Sequence, residues 1–252
     1  MLNSEEFARY ARQLMVTDLG DEAQEAFSTS TVGIVGLGGL GCPASIYLAG
    51  AGIGKLILMD KDQVELGNLY RQVLYRDEDI GQPKAEVAAE RLRAMNHHIQ
   101  CEAVVESIDS QELTAYLDEV DLVLDCTDNL ETRLEINRTC VAFQKPLISA
   151  AAVGWEGQIS TFRFDQSLSP CLACVIKAGN GGPPMDCSTA GVIGPVLGTM
   201  GSIQATQAMK ILAEMEEDES TWMHRYDGRS SRWLSSRISP SPECRVCNPH
   251  AD

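Results

Sequence analysis

A glycine-rich turn and one aspartate carry the first chemical signal in this sequence. The turn follows a short apolar run and contains Gly36, Gly38, Gly39 and Gly41. Glycines let the backbone approach a phosphate closely, and the N-terminus of a following helix offers free N–H groups and partial positive charge. Asp60 lies about twenty residues past the turn, where an acid can accept hydrogen bonds from ribose hydroxyls. The pattern predicts a nucleotide site, with a turn that binds nothing as the alternative, and does not identify the nucleotide.

Three charged residues elsewhere fit chemistry on a phosphate. Asp128 comes just after a strand-like run, at the sheet edge where α/β proteins bind ligands, and its carboxylate could hold Mg²⁺. It also precedes a helical pattern, so a helix N-cap is an equally good interpretation. Arg71 and Lys84 lie in or beside loops after the second strand-like run and could neutralise charge on a phosphoryl group. Their alternative interpretation is solvated surface charge.

Two pairs of cysteines have the spacing of metal ligands. They are Cys171 and Cys174, and Cys244 and Cys247. Four thiolates make a closed tetrahedral zinc site, which is structural rather than catalytic. Because a long stretch separates the pairs, the fold must bring them together. Two independent redox pairs are the alternative.

A further cysteine, Cys187, stands alone after a loop rich in glycine and proline. A thiol on a mobile loop could act as a nucleophile, because access controls thiolate reactivity. A lone cysteine is more often a packed side chain.

Composition limits the function classes. The 252 residues are 44% hydrophobic and 22% charged, as in globular proteins. The net charge of −16 argues against binding nucleic acid or an anionic membrane surface. The odd count of nine cysteines and the charged N-terminus, which lacks the apolar core of a signal peptide, predict a cytoplasmic protein without a disulfide framework. The uncharged stretch Ala190–Ala208 contains Pro195 and two glutamines, which favours a buried or interface helix over a membrane span.

The elements that must position these residues follow an alternating order. Strand and helix patterns alternate up to Ala152, which predicts a mostly parallel sheet covered on both faces. The predicted helices are Glu5–Leu14, Cys42–Ala51, Ala85–Met95, Gln111–Leu117, Leu130–Phe143 and the uncharged stretch. The predicted strands are Val32–Val35, Leu56–Met59, Cys101–Ile108, Asp121–Asp125, Leu147–Ala151, Gln158–Phe164, Trp222–Tyr226 and Arg232–Ile238.

Six motifs taken together resemble one family closely. Beside the glycine turn and the four zinc-type cysteines they are Arg9-Tyr10-Ala11-Arg12-Gln13, Asn68-Leu69-Tyr70-Arg71-Gln72, Gly81-Gln82-Pro83-Lys84 and Asp125-Cys126-Thr127-Asp128-Asn129. They span nearly the whole chain in the order found in the ThiF, MoeB and HesA adenylyltransferases, which are relatives of ubiquitin-activating enzymes. The resemblance implies an α/β fold with a doubly wound, Rossmann-like, mostly parallel sheet continued by antiparallel strands, with structural zinc.

The resemblance also implies a reaction. The enzyme would bind ATP with Mg²⁺ and the tail, ending in Gly-Gly, of a small ubiquitin-like sulfur-carrier protein. The terminal carboxylate attacks the α-phosphate, pyrophosphate leaves and an acyl-adenylate forms. Catalysis is positioning and charge neutralisation, which suits Arg71, Lys84 and Mg²⁺ on Asp128. With no room for a C-terminal rhodanese domain, we expect sulfur to come from another protein, such as a cysteine desulfurase.

Further roles follow from the same resemblance. Asp60 would hold the ribose and Asn68 would lie near the phosphates. An arginine matching Arg12 reaches the ATP of the partner subunit, so a homodimer is expected. The other residues expected to contact the nucleotide are Gly38, Gly39, Gly41, Asp62, Gln72 and Asn129. The chain would then be one domain, with a helical arm at 1–30, a nucleotide-binding half at 31–152 and a carrier-binding and zinc half at 153–252.

The sulfur carrier is a separate question. The segments Gly191–Val196 and Tyr226–Trp233 look more like ThiF, which serves thiamine thiazole synthesis, than MoeB, which serves molybdopterin synthesis. Cys187 matches a position where ThiF-like enzymes carry a thiol that joins the carrier through sulfur, but MoeB-like proteins can carry one too. We therefore predict a ThiS-type carrier, with the molybdopterin carrier as the alternative. A more remote alternative is an NAD-dependent dehydrogenase, for which the sequence offers no hydride-transfer site.

Overall fold

The computed structural model describes residues 2–106, 110–166, 169–177, 191–215 and 220–248. Within these ranges one mixed sheet has the strand order β3-β2-β1-β4-β5-β6-β7-β8. The strands are β1 Thr31–Val35, β2 Lys55–Met59, β3 Gln100–Val104, β4 Leu122–Asp125, β5 Leu147–Val153, β6 Glu156–Phe162, β7 Trp222–Asp227 and β8 Arg232–Arg237.

Helices cover both faces of the sheet. They are α1 Ser4–Leu14, α2 Gly20–Thr29, α3 Gly41–Ala51, α4 Lys84–Met95, α5 Ser110–Leu117, α6 Leu130–Ala142, α7 Leu172–Lys177 and α8 Gly194–Leu212. Two short 3-10 turns, Leu66–Asn68 and Asp77–Asp79, lie between β2 and α4. None of the helices in the described ranges is long and apolar enough to cross a membrane.

The topology creates a crevice at β1. Strands β1 to β5 pair in parallel, and β6, β7 and β8 add in antiparallel fashion. The chain moves outward from β1 to β2 and β3, then returns to place β4 on the other side of β1. Helices on either side of such a reversal diverge, so a ligand site is expected beyond the carboxyl ends of β1 and β4. The predicted doubly wound sheet with an antiparallel extension is confirmed.

Strand alternation divides the apolar residues between two cores. Along β2, Leu56 and Leu58 enter the core shared with α3, α4 and α8, whereas Ile57 and Met59 enter the core shared with α5, α6 and α7. All four side chains are at most 1% exposed. At roughly 1.5–3 kcal/mol for each fully buried aliphatic side chain, this two-sided burial makes β2 a rigid support for Asp60 at its end.

The uncharged stretch forms a core helix rather than a membrane span. Helix α8 begins at Gly194, later than predicted, and continues to Leu212. Its Val196, Leu197 and Met200 are buried in the core that includes α3. Residues 178–190 lie outside the described ranges, so the start that we predicted at Ala190 is not covered.

Two helices were absent from the sequence prediction. In α2 the buried face consists of Ala23, Gln24 and Phe27, so only one large apolar residue signals it. Helix α7 spans six residues and includes Cys174, and so short an element has no readable period. Strand β3 ends at Val104, before the predicted Ile108, which lies outside the described residues.

Candidate active site

A cavity of about 470 Å³ opens at the crevice beyond β1 and β4. Nine residues that the sequence analysis expected to contact the nucleotide line it, and they are Gly38, Gly39, Asp60, Asp62, Arg71, Gln72, Lys84, Asp128 and Asn129. Its wall also includes Lys61, Tyr70, Glu106, Cys126, Thr127, Arg133 and Val192. Its volume falls within the few hundred to a thousand Å³ typical of small-molecule sites.

The glycines of the turn have different tasks. Gly36 has φ +90°, and a Cβ there would lie 2.9 Å from the carbonyl oxygen of Cys126. Gly41 is not part of the cavity wall, and a Cβ on it would collide with the carbonyl oxygen of Gly36. Gly38 faces the cavity, where the nearest atom to an added Cβ is Nε2 of Gln72 at 3.5 Å. Gly36 therefore allows the turn to approach the end of β4 closely, Gly41 allows the start of α3 to pack on the turn, and Gly38 leaves the backbone accessible.

Asp60 is held in place by the backbone around it. Its Oδ2 accepts the N–H of Leu37 at 2.7 Å and its Oδ1 accepts the N–H of Asp62 at 2.8 Å. Burial raises the pKa of Asp60, while nearby Lys84 and the two backbone N–H groups act in the opposite direction. The carboxylate is thus oriented at the cavity wall, and each oxygen keeps acceptor capacity for a ligand hydroxyl.

Lys84 brings a positive charge into this wall from the first turn of α4. Its side chain is only 7% exposed, and Nζ lies 3.1 Å from Oδ2 of Asp62. The backbone N–H of Lys84 also donates to the carbonyl of Asp62 at 2.9 Å. A lysine this buried needs a partner, and Asp62 supplies one while leaving the ammonium group at the cavity.

The segment after β2 supplies a second cation and an unpaired amide. The Arg71 guanidinium donates to the carbonyl of Gly67 at 2.8 Å and lies over the ring of Tyr70, 4.9 Å from its centroid. Gln72 is 4% exposed, and its Oε1 is buried without a hydrogen-bond partner. Because buried polar atoms are normally satisfied, this oxygen at the cavity wall is an acceptor open to a ligand.

Asn68 lies behind this segment rather than at the cavity. Its Oδ1 accepts the N–H of Glu65 at 3.1 Å, and its carbonyl accepts the N–H groups of Arg71 and Gln72. The structure therefore places Asn68 as an organiser of the turn that carries the other two.

Asp128 and Asn129 divide two tasks that the sequence left open. The N-cap of α6 is Asn129, whose Oδ1 accepts the N–H of Thr132 at 2.9 Å. The exposed side chain of Asp128 precedes the cap and lines the cavity. The N-cap interpretation of Asp128 is therefore wrong, and its carboxylate is available to a cation or ligand.

Sequence reasoning missed a buried network beneath the cavity. Asp125, the last residue of β4, is fully buried and accepts from Nε of Arg133 at 3.1 Å and from Oγ of Ser149 at 2.6 Å. The Arg133 guanidinium also donates to Ser149 Oγ at 2.7 Å. Thr127 donates to the other carboxylate oxygen of Asp125. The sequence signal that could have indicated this network is Arg133 itself, a charged residue near the start of α6, the helix that follows β4.

The four zinc-type cysteines meet as the sequence predicted. Their Sγ atoms all lie within 4.8 Å of one another, at 3.9 Å for Cys171–Cys174, 3.7 Å for Cys171–Cys244 and 3.4 Å for Cys174–Cys247. Zinc–sulfur bonds of about 2.3 Å place tetrahedral sulfurs about 3.8 Å apart, so the cluster can hold zinc. The hydrogen bond between the two sulfurs lowers the pKa of Cys174 and raises the pKa of Cys171.

Comparison with known proteins agrees with this geometry. The sequence profile of the ThiF family matches residues 10–246. The chain belongs to the ThiF family. Across 98% of its length it is 43% identical to the Escherichia coli sulfur carrier protein ThiS adenylyltransferase, of which 97% is covered. It is also 43% identical to the E. coli molybdopterin-synthase adenylyltransferase, with 98% of both chains covered. The crystal structure of E. coli MccB with ATP has a TM-score of 0.83 at 26% identity, covering 97% of this chain and 75% of MccB.

Arg12, like Asn68 and Gly41, was singled out from the ThiF resemblance and does not line the cavity in the described part of the chain. Arg12 is exposed in the last turn of α1. Cys187 lies in 178–190, outside the described residues. The roles of Arg12 and Cys187 remain predictions.

Proposed function

We propose that this chain transfers AMP from ATP to the C-terminal carboxylate of a small ubiquitin-like sulfur-carrier protein that ends in Gly-Gly. The observation that carries the proposal is the cavity at the strand reversal, which combines Lys84, Arg71 and Asp128 with the accessible backbone of Gly38. The two E. coli relatives named as adenylyltransferases cover the same length of chain and support the reaction class.

The reaction needs charge neutralisation more than acid–base chemistry. A terminal carboxylate has a pKa of about 3.3–3.7, so near pH 7 it is already a nucleophile. One of its oxygens bonds to the α-phosphorus, the bond from that phosphorus to the bridging oxygen of the β-phosphate breaks, and pyrophosphate leaves. The chain therefore has to place the two substrates in line and stabilise negative charge on the phosphate oxygens.

The lining residues divide these tasks between them. The backbone at Gly38 and the N-terminus of α3, which lacks a side-chain cap at Leu40, receive the phosphates. Lys84 and Arg71 offset the charge that develops on the α-phosphate and on pyrophosphate. Asp60 accepts from the ribose hydroxyls. The buried Oε1 of Gln72 gains its missing donor from the bound nucleotide or an ordered water.

The exposed carboxylate of Asp128 fits a magnesium ion. Mg²⁺ prefers one or two carboxylates together with water and phosphate oxygens, and Asp128 is a carboxylate that no helix cap occupies. When bound, Mg²⁺ would neutralise charge on the departing pyrophosphate. Arg133, which is held in place by Asp125 and Ser149, lines the same cavity as Asp128.

We propose that the carrier is of the ThiS type and that residues 153–252 contain its binding surface. Val192, which lines the cavity, belongs to a ThiF-like segment that hydrogen bonds to the turn after β5. The other ThiF-like segment forms the β7–β8 hairpin, where Trp233 packs on Tyr226 with ring centroids 4.9 Å apart. Trp233 is 44% exposed and, together with Tyr226, offers an apolar surface to a small protein.

A pyrophosphate-exchange assay with the thiamine and molybdopterin carriers tests both the proposed reaction and the proposed choice of carrier. We expect ATP–pyrophosphate exchange that requires the thiamine carrier and is lost when the final glycine of that carrier is deleted, because the deletion withdraws the carboxylate from the α-phosphate. Faster exchange with the molybdopterin carrier would reverse the choice of carrier and leave adenylylation intact. No exchange with either carrier, together with binding of NAD in preference to ATP, would contradict adenylylation itself.

A further inference from the structure

A second group of potential metal ligands lies away from both the cavity and the cysteines. Glu5 is in the first turn of α1, and His97 and His98 are adjacent in the loop between α4 and β3. Oε1 of Glu5 lies 3.2 Å from Nε2 of His97 and 3.7 Å from Nε2 of His98. One ligand atom from each of the three side chains lies within 4.8 Å of those of the other two.

The atoms of this group are available for a ligand. The side chain of His98 is 12% exposed, and its Nε2 is buried without a hydrogen-bond partner. A buried ring nitrogen without a partner calls for a water or an ion. The carboxylate of Glu5 is not used by the helix terminus, because the capping box of α1 consists of Asn3 and Glu6.

The spacing fits the coordination sphere of a transition metal. Imidazole nitrogens and carboxylate oxygens bind Zn²⁺ at about 2.0–2.2 Å, so two ligands of a tetrahedral ion lie about 3.3–3.6 Å apart. The two measured separations from Glu5, 3.2 Å and 3.7 Å, straddle that range. Two histidines and one glutamate favour borderline ions such as Zn²⁺ and Ni²⁺ over Mg²⁺ or Ca²⁺, which prefer all-oxygen sites.

We propose that Glu5, His97 and His98 form a binding site for a borderline divalent cation that fastens α1 to the α4–β3 loop. The end of α4 and this loop already hold α1 through two polar contacts. Arg9 donates to the carbonyl of Met95 at 3.2 Å, and the buried amide of Asn96 donates to the hydroxyl of Tyr10 at 2.9 Å. The ion would add a third connection, one turn nearer the start of the helix.

Equilibrium dialysis with Ni²⁺ tests the site in the untagged, zinc-loaded protein. We expect one Ni²⁺ per chain in addition to the zinc already bound, with the zinc content unchanged. Ni²⁺ affinity should fall at least tenfold in His97→Gln and in Glu5→Gln, because each removes one of three ligands. The matched controls His224→Gln and Glu22→Gln change the same residue types elsewhere and should bind Ni²⁺ as the unaltered protein does.

Thermal unfolding gives a second, independent readout. Since the side chains of His97 and Glu5 are 62% and 64% exposed, their variants should unfold at the original Tm in the absence of Ni²⁺. Added Ni²⁺ should raise the Tm of the unaltered protein and of the controls but not that of these two variants. Equal Ni²⁺ binding by the unaltered protein and His97→Gln would overturn the proposal and leave an ordinary Glu–His ion pair.

Discussion

At the residue scale, Asp128 and Asn129 are adjacent polar residues with different functions, and the sequence does not show which of them caps the helix. Asn129 accepts the N–H of Thr132, so the structural requirement at the start of α6 is already met. The carboxylate of Asp128 is left facing the cavity. Removal of the Asp128 carboxylate should therefore lower the reaction rate and leave the stability of the fold unchanged.

We predict that Asp128→Ala lowers carrier-dependent pyrophosphate exchange by roughly a hundredfold or more, as removal of one electrostatic group from an active site commonly does. The Tm should stay within a degree or two of the original, because no cap is lost. Asp118→Ala, at an exposed position outside the cavity wall, is the matched control. Full exchange by Asp128→Ala with a working carrier would exclude the proposed Mg²⁺ role.

A single substitution can also separate sulfur transfer from adenylylation. We predict that Cys187→Ser keeps pyrophosphate exchange and loses sulfur transfer, because the carboxylate needs no thiol to attack phosphorus. In the proposed step a persulfide on Cys187, formed by the sulfur donor, would attack the acyl-adenylate, release AMP and leave an acyl persulfide. Both activities should be measured side by side with the ThiS-type carrier.

Cys101→Ser serves as the comparison, since burial raises the pKa of Cys101 to about 11 and keeps it a protonated thiol near pH 8. Sulfur transfer should continue in that variant. If it also continues at full rate in Cys187→Ser, then Cys187 takes no part in the reaction.

At the element scale, the cysteine cluster joins two distant parts of the chain. Cys171 and Cys174 lie at α7, and the backbone N–H of Ser241 donates to Cys174 Sγ at 3.3 Å from the segment that follows β8. Zinc there would fasten the C-terminal segment to the core that contains α6 and β6. Zinc binding to peptides of this ligand type releases on the order of 10 kcal/mol.

We therefore predict that Cys244→Ser loses its zinc and at the same time several degrees or more of Tm. Elemental analysis and thermal unfolding should be run on protein purified without chelator, with Cys101→Ser as the control that keeps its zinc. Absence of zinc from the unaltered protein would contradict a structural zinc site.

The sequence predicts most of these elements because the spacing of apolar residues and the residues that form turns are both visible within a short stretch of chain. Glycine, proline and polar residues mark the ends of β1, β2 and α4, and both faces of β1 and β2 are apolar. By contrast, α7 depends on contacts made by residues far along the chain, and no local period marks it. Arg133, on helix α6, was missed for the same reason, since its partners Asp125 and Ser149 are on the strands β4 and β5. Nine predicted residues converge because parallel strands bring their carboxyl ends to one edge.

At the scale of the whole molecule, Arg12 is a predicted site residue that does not reach the cavity of its own chain. It is exposed on α1 and absent from the wall of its own cavity. Large apolar side chains are exposed on and just after the same helix, with Phe7 at 56%, Met15 at 72% and Val16 at 49%. Apolar exposure of this kind favours burial against a second copy. We therefore propose a homodimer in which α1 carries Arg12 to the cavity of the partner.

Mixing two inactive variants tests this arrangement directly. We predict that Arg12→Ala and Lys84→Ala are each nearly inactive in pyrophosphate exchange, and that subunit exchange between them restores activity. In the mixed dimer one cavity keeps its own Lys84 and receives an intact Arg12 from the other subunit, while the second cavity lacks both. Each heterodimer should have about half the exchange activity of an unaltered dimer, because one of its two cavities is complete. If differently tagged subunits are shown to exchange and activity still does not return, Arg12 acts within its own chain.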